Sequence, residues 1–311
     1  MSSISARLNF ERPQMAILQM QRDLSLLQQQ ISSGQKAEDL KGFGHNAGLV
    51  VTTSGLLTQT DSRLAAAKEL DGRLTQQDWS MQRAGDAAKT LRTDILNAIS
   101  ANDGSTLVVA LETAFKEATV ALNGQWQGVY LFGGERTDTA PVAPQSVEEL
   151  LDETTYPTGV DFFRVSNRKA VIDLGDGVVI EAAPQAAELG ATLFEGLRAL
   201  KEVIGAGNRP PSSPLREDQI RALSSAAAIL NTAGDGLSLA QGRNGATWKQ
   251  IETETTRLEN RLNLITNLKG ERVDANLAEL AMRLSEMQVQ YQAAAQTFSQ
   301  LRDMSLLNYL R

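Results

Sequence analysis

The sequence predicts a mainly α protein: an elongated bundle of long helices, its N- and C-terminal helices paired as a coiled coil, with a small β module inserted between two helical halves. Apolar residues recur about every 3.5 positions near both ends of the chain, the spacing that keeps a seam turned toward a partner helix. Hydrophobic residues make up 42% of the 311 residues but aromatics only 5%. That profile suits narrow seams filled by Leu, Ile, Met and Ala better than a thick globular core. The net charge of −7 falls between Asp138 and Glu188, where ten acids meet three bases, while elsewhere 27 acids and 27 bases cancel. One central segment therefore differs in character from both ends.

The first helix is expected over about Arg12 to Ser33. Pro13, Ile17, Met20, Leu24, Leu27 and Ile31 follow a 4-3 alternation, with Pro at the start, where its missing N–H does no harm. Ser32-Ser33-Gly34 stops it, and a Gly-rich loop runs to Gly48. A second long helix follows from about Leu49 to Ser100; Leu70, Leu74, Met81, Ala84, Ala88, Leu91, Ile95 and Ala98 hold the seam, with Gln77 as its polar interruption. The turn Asn102-Asp103-Gly104-Ser105 ends it. A third helix places Leu111, Phe115, Ala118 and Leu122 on one face and closes at Asn123-Gly124, completing an αα-hairpin.

From Gly128 to Val142 the chain is β-prone and broken by Gly and Pro. Asp161 to Val165 and Ala170 to Ile180 read as strands, the second folded on itself at Gly175-Asp176-Gly177. Helical pattern returns over Glu188 to Ile204 and Leu215 to Asn231. A last helix is expected from about Ala246, after glycines 234 to 245 have broken the previous one. Its seam begins with Leu258, Leu262 and Ile265, slips in phase around Gly270, and resumes at Val273, Leu277, Leu280, Leu284, Met287, Tyr291, Ala294, Phe298 and Leu301. The apolar end Met304, Leu306, Leu307, Tyr309 and Leu310 follows. A seam this narrow cannot bury itself in one helix, so the N-terminal helix is expected to pair with the C-terminal one, leaving the rest for neighbouring copies.

Several function classes fall away. With no Cys there is no disulfide, thiolate metal site or Cys nucleophile, and the single His45, between Gly44 and Asn46, reads as a loop residue. The Gly-rich stretches lack the Gly-Lys-Ser/Thr of a phosphate cradle and read as helix terminators. Glu148-Glu149 and Asp152-Glu153 do not fit a calcium-loop spacing and read as an exposed acidic face. Trp79, Trp126 and Trp248 are scattered, and core packing is expected of them. No basic stripe exists to neutralise phosphates, so nucleic acid is not an expected partner. No stretch approaches the roughly 18 apolar residues of a membrane span. The opening residues lack the apolar core of an ordinary signal peptide, so any export is expected by another route. The expectation is a protein without catalytic residues, metal or cofactor, and not an enzyme.

Several segments resemble the bacterial flagellin family. Ile31-Ser32-Ser33-Gly34 resembles the "LSSG" that ends the first flagellin helix, and Arg257-Leu258-Glu259-Asn260-Arg261-Leu262 the "NRLE" helix of its C-terminal half. Gln290 to Arg311 is similar to flagellin-type C-termini, particularly those of the flagellin-like hook-associated proteins of the hook–filament junction. Asn123-Gly124, then Tyr130-Leu131-Phe132-Gly133-Gly134 and Thr137 to Val142, with Thr139 and Pro141, is similar to the "NGRYIFAGYKTETAPF" style of segment in those proteins. One departure is Glu38-Asp39, within Lys36 to Gly48, where the family carries a paired Asp.

The resemblance implies a secreted structural subunit of the extracellular flagellum, exported by the type III apparatus with an unprocessed N-terminus that is disordered before assembly. Its implied partners are copies of itself, other axial proteins (hook-associated protein and flagellin) and an export chaperone. A junction protein connecting hook to filament is preferred over filament flagellin because of the Tyr130 to Val142 segment. An alternative of another class is a soluble coiled-coil adaptor or effector. The residues expected to carry polymerisation are Ile17, Met20, Leu24, Leu27, Ile31, Leu277, Leu280, Leu284, Met287, Tyr291, Phe298 and Leu301. Three domains are expected: residues 1–46 with 268–311 as the terminal coiled coil, 47–142 with 188–267 as a helical rod with a β-hairpin, and 143–187 as an inserted acidic β domain.

Overall fold

In a computed structural model, the described backbone covers residues 2–169, 171–173, 177, 179–181, 183–205 and 214–309, and the described side chains lie between 14 and 300 within those ranges. Leu301, the apolar end from Met304 to Leu310, and the 174–176 part of the expected hairpin tip lie outside the described side chains. Six α-helices hold most of the described chain: α1 Ser2–Ser33, α2 Ala47–Ala101, α3 Leu107–Leu122, α4 Ala186–Gly205, α5 Glu217–Val273 and α6 Leu277–Tyr309. α1 starts at Ser2, ahead of Pro13, so the proline is not the helix start expected of it.

The chain divides into two compact units, one of residues 1–61 with 260–311 and one of residues 62–259. α2 and α5 contribute to both. α2 ends where Asn102 takes a left-handed φ of +57°, a conformation Asn tolerates better than most residues. Asp103 Oδ1 then accepts from the Ser105 N–H at 2.9 Å, and Asn102 Oδ1 accepts from the Leu215 N–H at 3.0 Å.

α5 overturns one expectation. It runs unbroken for 57 residues, straight through Gly234, Gly236, Gly242 and Gly245. Each interior glycine costs a helix about 1 kcal/mol relative to Ala, but tertiary packing overrides that here. Ala233 and Leu237 are buried in the common core, and Leu237 packs on α2 beside Gly85. The phase slip expected at Gly270 is a true break slightly further on, between Val273 and Leu277. Asn276 caps the new helix, its Oδ1 accepting from the Glu279 N–H at 3.3 Å.

The strands are minimal. β1 Gln125–Trp126 and β2 Val129–Tyr130 pair antiparallel across a tight turn whose two central residues, Gln127 and Gly128, both have positive φ (+50° and +83°), as such a turn requires. β3 Val171–Asp173 and β4 Val179–Glu181 pair with Ile172 opposite Ile180. The strand expected over Asp161 to Val165 does not form. The chain turns there, the Asp161 and Phe163 N–H groups donating to the Thr158 and Val160 carbonyls, and only Phe163 makes a single bridge, to Val142.

The core of the 62–259 unit is one continuous cluster. Met81, Leu91 and Ile95 of α2, Leu111 and Phe115 of α3, Leu193, Phe194 and Leu197 of α4 and Leu223 and Leu230 of α5 meet in it. Leu150, Tyr156, Phe162 and Phe163 join the same cluster. Phe194 touches Phe115, Phe162 and Phe163, with ring centroids 5.9, 5.6 and 5.2 Å apart. The 143–187 segment expected as a separate inserted domain thus places its large apolar side chains in a core shared with the helices. Its described acids stay out of that core: Glu148, Asp152, Glu153, Asp161, Asp173 and Glu181 are exposed, and Glu149 is half-buried.

Candidate assembly surface

In the 1–61/260–311 unit, α1 packs along α6. Gln35 and Asp274 form an antiparallel bridge, and Gln21 Nε2 donates to Tyr291 Oη at 2.7 Å. Moving backward along α1 therefore moves forward along α6, and the pair is antiparallel. Its closed end is stitched by backbone: the Lys36 N–H donates to Val273 O at 2.8 Å and the Ala275 N–H to Gly34 O at 2.9 Å. Lys36 Nζ adds a bond to Glu271 O at 2.7 Å. Gly34, at φ +68°, supplies the left-handed residue that ends α1. In the loop beyond it, Asp39 Oδ1 accepts from the Gly42 N–H at 2.8 Å, and His45 sits exposed in a 3-10 turn.

The heptad residues fall on the facing sides of this pair with unequal burial. Leu27 and Leu280 are buried, at 8% and 9% exposure. Ile17, Met20, Leu24 and Ile31 on α1, with Leu284, Met287, Tyr291 and Phe298 on α6, are only half-buried. Leu277 departs from the spacing-based expectation. As the first residue of α6, directly after the break, it is 52% exposed.

A second apolar row is invisible to the heptad count. Met15, Leu18 and Leu26 on α1, and Met282 and Val289 on α6, are exposed by 47% to 67%. At 100° per residue they lie on the sides of their helices opposite the seam. The one hint in the sequence is an apolar surplus between seam positions, as in Leu24-Ser25-Leu26-Leu27. Among the described residues, each terminal helix therefore carries apolar side chains on two sides, of which the one facing the partner helix is covered.

The Asn123 to Pro141 motif does different work. Asn123 Oδ1 accepts from the Val142 N–H at 2.9 Å. The Tyr130 N–H donates to Thr137 O, the Leu131 N–H to Gly124 O, and the Ala186 N–H to Phe132 O at 2.8 Å. The Pro141 carbonyl accepts from the Arg164 N–H at 2.7 Å and the Gly133 carbonyl from the Ser166 N–H at 3.1 Å. Gly124 sits so close to α2 that a Cβ there would come within 2.6 Å of Ser80 Oγ, and a Cβ on Gly133 would collide with the Arg136 carbonyl. Phe132 and Pro141 are buried, and Thr139 is half-buried with its hydroxyl donating to Asp138 at 3.2 Å. The motif staples the connection after α3 onto its own unit.

The charged groups nearby are tied to structure. Lys169 bridges Glu188 and Glu181, at 3.1 and 3.3 Å, and the bond to Glu188 leads in raising its ammonium above the ordinary range. The Arg83 guanidinium holds the Glu117 carboxyl below its usual value through a direct hydrogen bond. Among the described residues no cluster of three or more His, Asp or Glu could hold a metal ion, and no helix is long and apolar enough to cross a membrane.

These features define a helical protein with paired terminal helices and apolar surface to spare. Residues 227–310 match the family described as the bacterial flagellin C-terminal helical region. The fold is similar to that of a protein assigned as a flagellar hook-associated protein from Vibrio parahaemolyticus, with a TM-score of 0.60 and 13% identity over 76% of this chain and 99% of that one. It is similar also to Bacillus cereus FlgL, with a TM-score of 0.53 and 17% identity over 71% of this chain and 98% of that one. No curated protein sequence matches. The chain is flagellin-like in its C-terminal helical region and has the fold of these flagellar proteins.

Proposed function

We propose that this protein is a structural subunit of the bacterial flagellum, a hook-associated junction protein connecting hook to filament, and not an enzyme. The observation that carries the reading is the two-sided apolar character of α1 and α6, with one side facing the partner helix and the other exposed. Exposed rows of this kind mark a surface covered in an assembly. The likeness in fold to flagellar hook-associated proteins supports the junction over the filament. The flagellin pattern over residues 227–310 keeps filament subunit as the second reading. On either reading the protein is exported to the extracellular flagellum with the help of a chaperone, and its partners are copies of itself and neighbouring axial proteins.

Leu284→Asp tests this. Leu284 is half-buried on α6, and covering the seam in an assembly would bury the new carboxylate unpaired, at a cost of several kcal/mol. Cells carrying it should export a subunit whose 62–259 unit melts normally yet build hooks with detached or missing filaments. Arg283→Ala is the control, since its 2.7 Å pair with Glu279 is exposed and worth little. Normal filaments on Leu284→Asp cells would overturn the reading.

A further inference from the structure

A groove of about 500 Å³ runs between α2 and α3, inside the 62–259 unit. Its floor is apolar: Ala87, Leu91 and Ala114 are buried there, beside half-buried Ala110. Alanine side chains leave space between the two helices that larger ones would fill. Trp79 lies at one end, 57% exposed instead of packed in the core as its residue type suggests. The rim carries three carboxylates, Asp86, Asp94 and Glu117, and one guanidinium, Arg83. Arg83 is already engaged, by Glu117 at 2.5 Å and by the Trp79 ring, whose centroid is 5.8 Å away. Asp86 and Asp94 make no ion pair among the described residues; they sit about 12 Å apart along α2. An exposed aromatic over an apolar floor, bordered by unneutralised acids, has the make-up of a surface that a partner covers.

A fitting partner is apolar at its centre and basic at its edges, and this chain carries such a stripe. Residues 260–273 of α5 hold three bases, Arg261, Lys269 and Arg272, against one acid, Glu271. Leu264 and Leu268, one turn apart, are 60% and 47% exposed. At 100° per residue, Arg261, Leu264, Leu268 and Arg272 fall within about 80° of one another, over a length of about 17 Å. The stripe has an excess of two positive charges and the groove an excess of two negative ones. We propose that the α2/α3 groove of one copy receives the 261–272 stripe of α5 from a second copy, the two leucines over the alanine floor and the bases against Asp86 and Asp94. This rests on the reading of the chain as a self-assembling subunit and gives that assembly a contact outside the α1/α6 pair. Groove and stripe are different surfaces, so the contact is head-to-tail and runs on from copy to copy in a ring or a helical row.

The test uses the purified full-length protein, which has no Cys of its own. Thr90→Cys on the groove rim and Asn267→Cys beside the leucines are both at exposed positions. The double-Cys chain, concentrated and treated with a short bis-maleimide, should give a ladder of dimers, trimers and higher species, and neither single-Cys chain should. In sedimentation experiments on the otherwise native chain, Asp94→Arg and Arg272→Glu should each weaken self-association about tenfold, since each turns a rim attraction into a repulsion. Combining them should restore it to within about threefold. Leu268→Ala should weaken association without moving the melting temperature, because the side chain is exposed in the single chain. If Asp94→Arg fails to fold, Arg272→Glu and Leu268→Ala decide. No ladder, association unchanged by the reversals, or a double variant as weak as the singles overturns the contact. The cross-linking is read in solution and Leu284→Asp in cells. A missing ladder with detached filaments removes the groove contact and leaves the flagellar reading, while a ladder with normal filaments does the reverse.

Discussion

Phe194→Ala probes whether the non-helical middle of the chain shares the helical core. Phe194 is fully buried and lies against rings from α3 and from the 143–187 segment, Phe115, Phe162 and Phe163. Truncating a buried Phe costs about 3–5 kcal/mol, and each well-placed aromatic pair adds about 0.5–1.5 kcal/mol beyond its area. Three such pairs put this site at the upper end, about 5 kcal/mol. For a unit of this size that is a fall in melting temperature of about 10–20 °C. Calorimetry should show one transition losing that much, because both sides of the cavity lose their neighbour together. Deleting residues 143–187 should be as damaging, since it uncovers Phe194 and Phe115. A loss under about 1 kcal/mol, or a split into two transitions of which one is unaffected, would refute the shared core.

Arg198→Ala should cost less, about 3 kcal/mol by urea melting, because its Nε donates to Leu150 O at 2.8 Å, its Nη2 to Tyr156 O, and its guanidinium lies 4.4 Å over the Phe162 ring. Arg198→Lys should recover only part of that, since an ammonium cannot reproduce the fork. Gly236→Ala and Gly242→Ala, where a Cβ meets only open space, should each stabilise α5 by about 0.5–1 kcal/mol; no gain in melting temperature would mean that the helix breaks there after all. Asp161 accepts from both the hydroxyl and the N–H of Thr158, at 2.6 and 2.8 Å, which holds its carboxyl below the ordinary range. Its contribution is therefore present above the ordinary carboxylate value and lost as pH falls through its lowered one. Melting temperature measured from pH 7 downward should drop less steeply in Asp161→Asn than in the wild type.

The sequence by itself determined the helices and the seams. Heptad spacing at Leu24, Leu27, Leu280 and Leu284 dictates which sides of α1 and α6 face inward, because a period of 3.5 residues puts apolar side chains on one stripe wherever the helix lies. It determined the exposed acidity too, since unpaired carboxylates cannot be buried cheaply. Tertiary structure decided what no local pattern records. The glycines of 234 to 245 look like terminators, yet α5 continues through them because Ala233 and Leu237 pack into the core on either side of Gly234. Phe162 and Phe163 look like a strand in a module of their own, yet they fill a space against Phe194 that exists only once α3 and α4 have met. Trp126 and Arg73, 53 positions apart in the chain, become neighbours only because the hairpin after α3 folds back onto α2 at Gly72. Periodicity fixes the direction in which a side chain points, and packing alone fixes what it meets there.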